Sequence, residues 1–362
     1  MKSKRVKELK RAISESTTII NCRDASPSQK AVALIFRGET KGLLNDLRSA
    51  VVYFSAVIKI PNMPPALRAQ ALYNRGLAKY ILKDHQGSII DYTAVIKITQ
   101  AEPEIKAKAR INRGLIRYQL KKYKSAVADF NAVIKAPNAP PDQNANALIS
   151  RGTIMCELKK YQDAIADYTA VIEMPDAPPN IKAKALISRG RTKPSIAIAD
   201  YTAAIEMPNV PAELKAEALY LRSESKRSLN DLKSAILDCT AVVEMPEVSS
   251  ELKSQALYSR GRSRFSLEDT QEALADFNTI IGLSDAPPDI KANALYNTGL
   301  FKYELNDHLG AIANYFAVIE VPGIPSDIKA SALDRIADYA AIIERLNAPP
   351  DLQVKLMRYR RR

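Results

Sequence analysis

The stretch LISRGTIMCELKKYQDAIADYTAVIEMP, residues 148–175, decides the fold. In its second half Ala164, Ile165, Tyr168, Val171 and Ile172 recur at spacings of three, four and seven, which places them on one face of a helix. Leu148 and Gly152 stand four apart in the run before it, and only a short turn around Lys159 to Tyr161 separates the two. Helices joined by so short a turn lie antiparallel. The prolines of MPDAPP (174–179) end the second helix, and PPNIKAKALISRG (178–190) opens the next with Pro in its first turn. One such hairpin cannot bury both apolar faces, so it needs a neighbour of its own kind.

The neighbours are present. Arg-Gly occurs at Arg37-Gly38, Arg75-Gly76, Arg113-Gly114, Arg151-Gly152, Arg189-Gly190 and Arg260-Gly261, with Arg222-Ser223 and Thr298-Gly299 as variants. The spacing is 38 residues, except for 33 between Gly190 and Ser223. Phe54, Tyr92, Phe130, Tyr168, Phe277 and Tyr315 each follow the Gly of their unit by 16. A fixed period of this length means stacked supersecondary units. Strand patterns are absent. The expectation is a single array over 1–362: a partial repeat over 1–26, with 4–21 as a lone second helix, eight hairpins over 27–321, and degenerate repeats with a basic tail over 322–362. Residues 326–346 read as one long helix, and the fifth hairpin is five residues short, with Pro194 at its joint.

Leu148, Gly152, Ala164, Tyr168 and Pro175 resemble the pattern of the tetratricopeptide repeat family, and the set recurs along nearly the whole chain. The period here is 38 rather than the family's 34. The family's aromatic three residues after Gly is replaced by Lys79, Arg117, Lys226, Arg264 and Lys302, and the ring moves one place on to Tyr80, Tyr118, Phe265 and Tyr303. The resemblance implies an all-α fold, a right-handed α-solenoid of antiparallel hairpins whose first helices line a concave groove. It places Tyr73, Asn74 and Tyr80 in that groove, then Ile111, Asn112 and Tyr118, then Ile149, Ser150 and Cys156. Tyr258, Ser259 and Phe265, and Tyr296, Asn297 and Tyr303, follow. Aromatic anchors beside small polar groups suit a peptide or a helix. The family's Lys/Asn/Arg clamp for a terminal carboxylate is not reproduced at these places.

Arg on the first helix and Asp on the second occur together in Arg75/Asp91, Arg113/Asp129, Arg151/Asp167, Arg189/Asp200, Arg222/Asp238 and Arg260/Asp276. Both are lost together at Thr298/Asn314, while the first unit sets Arg37 opposite Tyr53. Joint presence and joint loss imply a salt bridge inside each hairpin, because a stranded buried charge is costly.

The formal charge is +13. Residues 1–11 carry +5 and residues 355–362 another +5, so the body holds only +3. A nucleic-acid-associated repeat protein is the alternative reading, using these termini and the basic stripe over 106–124 that contains Lys106, Arg110, Arg113, Arg117 and Lys121. Cys22, Cys156 and Cys239 form neither a disulfide framework nor a CxxC pair. No run of 18 apolar residues exists, so no membrane partner is expected. The plain reading is cytoplasmic. His85 and His308 occupy turn positions, and no catalytic motif, metal-ligand spacing or cofactor fingerprint is present. The chain therefore reads as a non-enzymatic scaffold for a protein or peptide partner. It is expected to be monomeric, with head-to-tail assembly opposed by the like charge of its two ends.

Overall fold

The computed structural model describes residues 11, 14, 16–345, 349–350 and 352–355, apart from the side chains of 340–345. The remaining parts of the two basic ends, and of the lone helix expected over 4–21, lie outside the described residues. Among the described residues there are helices and no strands.

Two compact units divide the chain. In the first, Met1–Ile181, residues 16–21 are helical and eight helices follow. They are α1 (Pro27–Leu43), α2 (Leu47–Lys59), α3 (Pro65–Ile81), α4 (His85–Lys97), α5 (Pro103–Gln119), α6 (Tyr123–Ile134), α7 (Pro141–Glu157) and α8 (Tyr161–Glu173). They pair as α1/α2, α3/α4, α5/α6 and α7/α8, and α2, α4 and α6 each also pack on the first helix of the next hairpin. The second unit is Lys182–Arg362. It contains most of α9 (Pro179–Thr192), then α10 (Ala197–Glu206), α11 (Ala212–Ser228), α12 (Leu232–Glu244), α13 (Ser250–Ser266) and α14 (Thr270–Gly282). α15 (Pro288–Glu304), α16 (His308–Glu320) and the single long α17 (Ser326–Arg345) complete it. At the shortened fifth hairpin a 3₁₀ turn, Pro194–Ile196, joins α9 to α10.

Local chemistry sets these boundaries. Pro27, Pro65, Pro103, Pro141 and Pro288 each stand at the start of a first helix, where a missing N–H does no harm. Asp46, Asp84, Asp231 and Asp307 cap second helices by accepting from a backbone N–H three residues on. Between the helices of a hairpin, one residue turns left-handed: Asn45, Lys83, Lys121, Lys159, Asn230, Glu268 and Asn306 have φ between 56° and 67°. A basic residue near the start of several first helices donates to carbonyls at the end of the preceding second helix, as Lys106 does to Thr99 O at 2.7 Å.

Alanine pairs such as Ala69/Ala71, Ala107/Ala109 and Ala292/Ala294 are fully buried where first helices meet their neighbours. Second helices contribute Ala126, Phe130 and Val133, or Ala273, Phe277 and Ile280, to the same cores. Full burial of a side chain such as Phe130 is worth about 1.5–3 kcal/mol.

Candidate functional site

The Gly of each first helix faces the ring of its own second helix. A Cβ on Gly152 would come within 2.7 Å of Tyr168, and one on Gly38 within 2.5 Å of Phe54, so only Gly lets the ring seat there. The sixth hairpin keeps the fit by exchanging both partners. Ser223 replaces Gly, Cys239 replaces the ring, and the thiol lies 3.2 Å from the Ser223 hydroxyl. Burial pushes that thiol's pKa up.

The Arg beside the Gly holds three helices. Arg75 donates from Nε and Nη2 to the buried Asp91 carboxylate at 2.9 and 2.6 Å, and from Nη1 to Ser55 Oγ of the preceding second helix at 3.0 Å. Arg113 makes the same set with Asp129 and Thr93, Arg151 with Asp167 and Asn131, Arg222 with Asp238 and Thr202, and Arg260 with Asp276 and Thr240. Arg189 reaches Asp200 at 2.7 Å despite the shortened joint. Arg37 donates to Thr17 Oγ1 at 3.0 Å and stacks over Tyr53, 4.7 Å from its ring centre. A second cation closes on the same carboxylate in four hairpins: Lys79 on Asp91, Arg117 on Asp129, Lys226 on Asp238 and Arg264 on Asp276, at 2.7–2.9 Å. Each such site holds two cations on one buried carboxylate.

The tyrosines expected in the groove lie between repeats, half-buried. Asn112 donates to Tyr73 Oη at 3.1 Å, Gln119 to Tyr80 Oη at 2.8 Å and Asn297 to Tyr258 Oη at 3.0 Å. Tyr118 and Tyr123 both donate to Glu157, which lowers that carboxyl's pKa and raises those of the two hydroxyls, that of Tyr118 to about 12. Arg335 donates to Tyr296 Oη at 3.4 Å. Phe265 packs on Phe301 with ring centres 4.2 Å apart, and Tyr303 on Tyr339 at 4.5 Å. Asn74 donates to Glu39 Oε1 at 2.8 Å. These side chains tie α1, α3, α5 and α7 in sequence, and likewise α13, α15 and α17.

On α1, α3 and α5 the exposed stripe runs at six residues before the Gly and at one and five after it. On α3 and α5 it mixes apolar and polar side chains: Leu77 and Leu115 are 40% and 38% exposed and Ile81 is 50% exposed, beside Gln70, Lys108 and Gln119. In the second unit the place just after the Gly holds Arg191, Glu224, Arg262 and Leu300. The places one and five after the Gly belong to the register that the resemblance sets in the groove. The repeat register contained them, since these positions vary while their neighbours stay constant.

Comparison with known proteins places the pattern. The family model of the tetratricopeptide repeat matches residues 107–139, most of α5 and α6 with the following turn. This chain carries tetratricopeptide repeats. No curated protein matches it. Among solved structures, a tetratricopeptide repeat protein from Parabacteroides merdae is 20% identical over 71% of this chain and 95% of its own, with a TM-score of 0.48. RapI in its apo form is 14% identical over 99% of this chain and 97% of its own, at 0.49. The apo form of the quorum sensor NprR from B. thuringiensis is 14% identical over 88% of this chain and 83% of its own, at a TM-score of 0.50, a likeness of fold.

A tetratricopeptide array is a protein-interaction scaffold, and the remaining sequence features take their places in it. In the basic stripe of the third repeat, Arg113 and Arg117 share Asp129, and Lys106 is spent on a helix end. His85 and His308 pack against Tyr80 and Tyr303 at 5.6 and 4.8 Å, as turn residues. Among the described residues no group of His, Cys, Asp or Glu could hold a metal ion, and no helix is long and apolar enough to cross a membrane.

Proposed function

We propose that the chain binds a protein or peptide segment along the exposed stripe of its first helices, the surface that would line the groove of a tetratricopeptide array. One observation carries this reading: Leu77 and Ile81 on α3 and Leu115 on α5 are exposed on neighbouring first helices of the first unit. Scattered exposed apolar residues are ordinary, but repetition at one register across packed helices forms a lane. Asn74, Asn112 and Gln119 border it and supply polar groups to fix a partner's register. Such a lane accepts the apolar side of a peptide or helix.

The test is comparative affinity capture from the source cell. Partners held by the native chain should be lost from Leu77→Asp/Ile81→Asp/Leu115→Asp and kept by Val52→Asp/Ile90→Asp, which alters exposed apolar residues on the second helices. The opposite pattern would move the interface to the second helices and end the proposal.

A further inference from the structure

We infer that the hairpin turns of this chain carry a self-complementary pair of surfaces, on which the basic block of one copy docks with the acidic block of a second copy. The blocks lie at the turns between paired helices, apart from the α3–α5 lane, and the inference does not depend on that lane.

The repeat register brings to each turn the five residues that begin six places after the Gly, or after Ser223 in the sixth hairpin. Three turns are neutral there: LNDLR (44–48), LKDHQ (82–86) and LNDLK (229–233). The third and fourth hairpins read LKKYK (120–124) and LKKYQ (158–162), +3 and +2 with no acid. The seventh and eighth read LEDTQ (267–271) and LNDHL (305–309), −2 and −1 with no Lys or Arg. Lys122 and Lys160 stand where Asp46, Asp84, Asp231, Asp269 and Asp307 stand elsewhere, so the sign is inverted rather than diluted.

Each block is a continuous surface. Tyr123 at the third turn donates to Glu157 at the foot of the fourth at 2.8 Å. Phe265 and Phe301, in the last turns of α13 and α15, pack with ring centres 4.2 Å apart and set the seventh turn beside the eighth. Lys121, Lys122, Lys124, Lys159 and Lys160 are exposed, as are Glu268, Asp269 and Asp307, and none is in an ion pair among the described residues. Glu157 and Asp163 border the basic block and Glu272 and Glu304 the acidic one, so the two keep opposite signs.

Apolar area accompanies the charge. Leu120, Leu158 and Tyr161 are 40%, 41% and 50% exposed among the lysines, and Leu305 is 60% exposed among the acids. Exposed ion pairs hold weakly one by one. Opposed charge nevertheless selects which surfaces meet, and exposed leucine gives them area to bury. A nucleic acid would answer the lysines and leave the leucines in water. An acidic partner protein would leave the acidic block unused. A second copy engages both blocks, each two hairpins long and at one register. Most of the positive charge that would oppose it lies in residues 1–11 and 355–362, outside both blocks. Such a contact joins unlike surfaces and is heterologous.

Sedimentation velocity of the full chain tests this. At about 0.1 M salt, where the Debye length is ~10 Å, the mass should rise with concentration. At about 1 M salt, where that length is ~3 Å, association should weaken roughly tenfold or more. Lys121→Glu/Lys122→Glu/Lys159→Glu/Lys160→Glu makes both blocks acidic, and Glu268→Lys/Asp269→Lys/Glu272→Lys/Glu304→Lys makes both basic. Each variant alone should stay monomeric with unchanged helical circular dichroism. An equimolar mixture of the two should associate again, which misfolding could not produce. A native chain that stays monomeric at low salt, association that survives either reversal, or a mixture that stays monomeric would overturn the proposal. So would a monomeric native chain that binds polyglutamate or duplex DNA through these lysines, because the basic block would then belong to an acidic partner or a nucleic acid.

Discussion

The two compact units share one interior and wear different surfaces. Arg113 with Asp129 in the first and Arg260 with Asp276 in the second are superposable in their bonding, down to the second cation and the reach to a threonine. The place just after the Gly reads Glu39, Leu77, Leu115 and Thr153 in the first unit and Arg191, Glu224, Arg262 and Leu300 in the second, with charge prevailing only in the second. The positions that hold the fold are therefore independent of those that face outward, so the array can change partner chemistry without repacking. Four measurements press on that contrast.

The largest effect is expected at the buried carboxylates. Asp129→Ala and Asp276→Ala each strand two cations and should each destabilise by about 3–5 kcal/mol in thermal or denaturant unfolding. Asn314→Ala removes only a 3.5 Å contact from Lys302 and should stay near or below about 1 kcal/mol. Equal shifts for Asp276 and Asn314 would remove the salt-bridge account; unequal shifts for Asp129 and Asp276 would show that the interiors differ after all. Next comes the size rule. Cys239→Phe forces a ring against Ser223 and should lose about 1–3 kcal/mol, and adding Ser223→Gly should recover most of it. Failure of that rescue would break the equivalence of the hairpins. Smaller still, Lys121→Gly relieves a left-handed lysine and should raise stability by about 1 kcal/mol or less, while Asn230→Gly, where the native residue already tolerates that backbone, should gain less. The smallest change in stability belongs to the surface. Leu77→Asp/Leu115→Asp should move unfolding by about 0.5 kcal/mol or less per site while removing partner capture.

Much of this was legible in advance, for physical reasons that can be named. Helices are visible because Ala164, Tyr168 and Val171 must share a face, and Arg–Asp pairs are visible because a lone buried charge is intolerable. The alternation of longer and shorter helices over 27–321 follows from the same register. The second cation was harder to place. Arg117 stands one helical turn beyond Arg113, and its spacing alone does not tell whether it points at solvent or folds back on Asp129. The tyrosines mislead for a related reason: a ring on a helix face can serve a ligand or the next helix, and Tyr73, Tyr80 and Tyr258 accept hydrogen bonds from the next helix. Cys239 carried a readable signal as half of a paired exchange, since the one hairpin without Gly among the inner six is also the one without a ring.

The arginine that spans three helices also sets how the chain gives way. A hairpin joined to its predecessor through such a guanidinium cannot be peeled off alone, so neighbouring hairpins should yield in groups. At position 298 threonine stands instead, its hydroxyl turned back to the Ala294 carbonyl at 2.9 Å. Under a stretching force the seam between α14 and α15 should therefore yield before the seams that carry such an arginine.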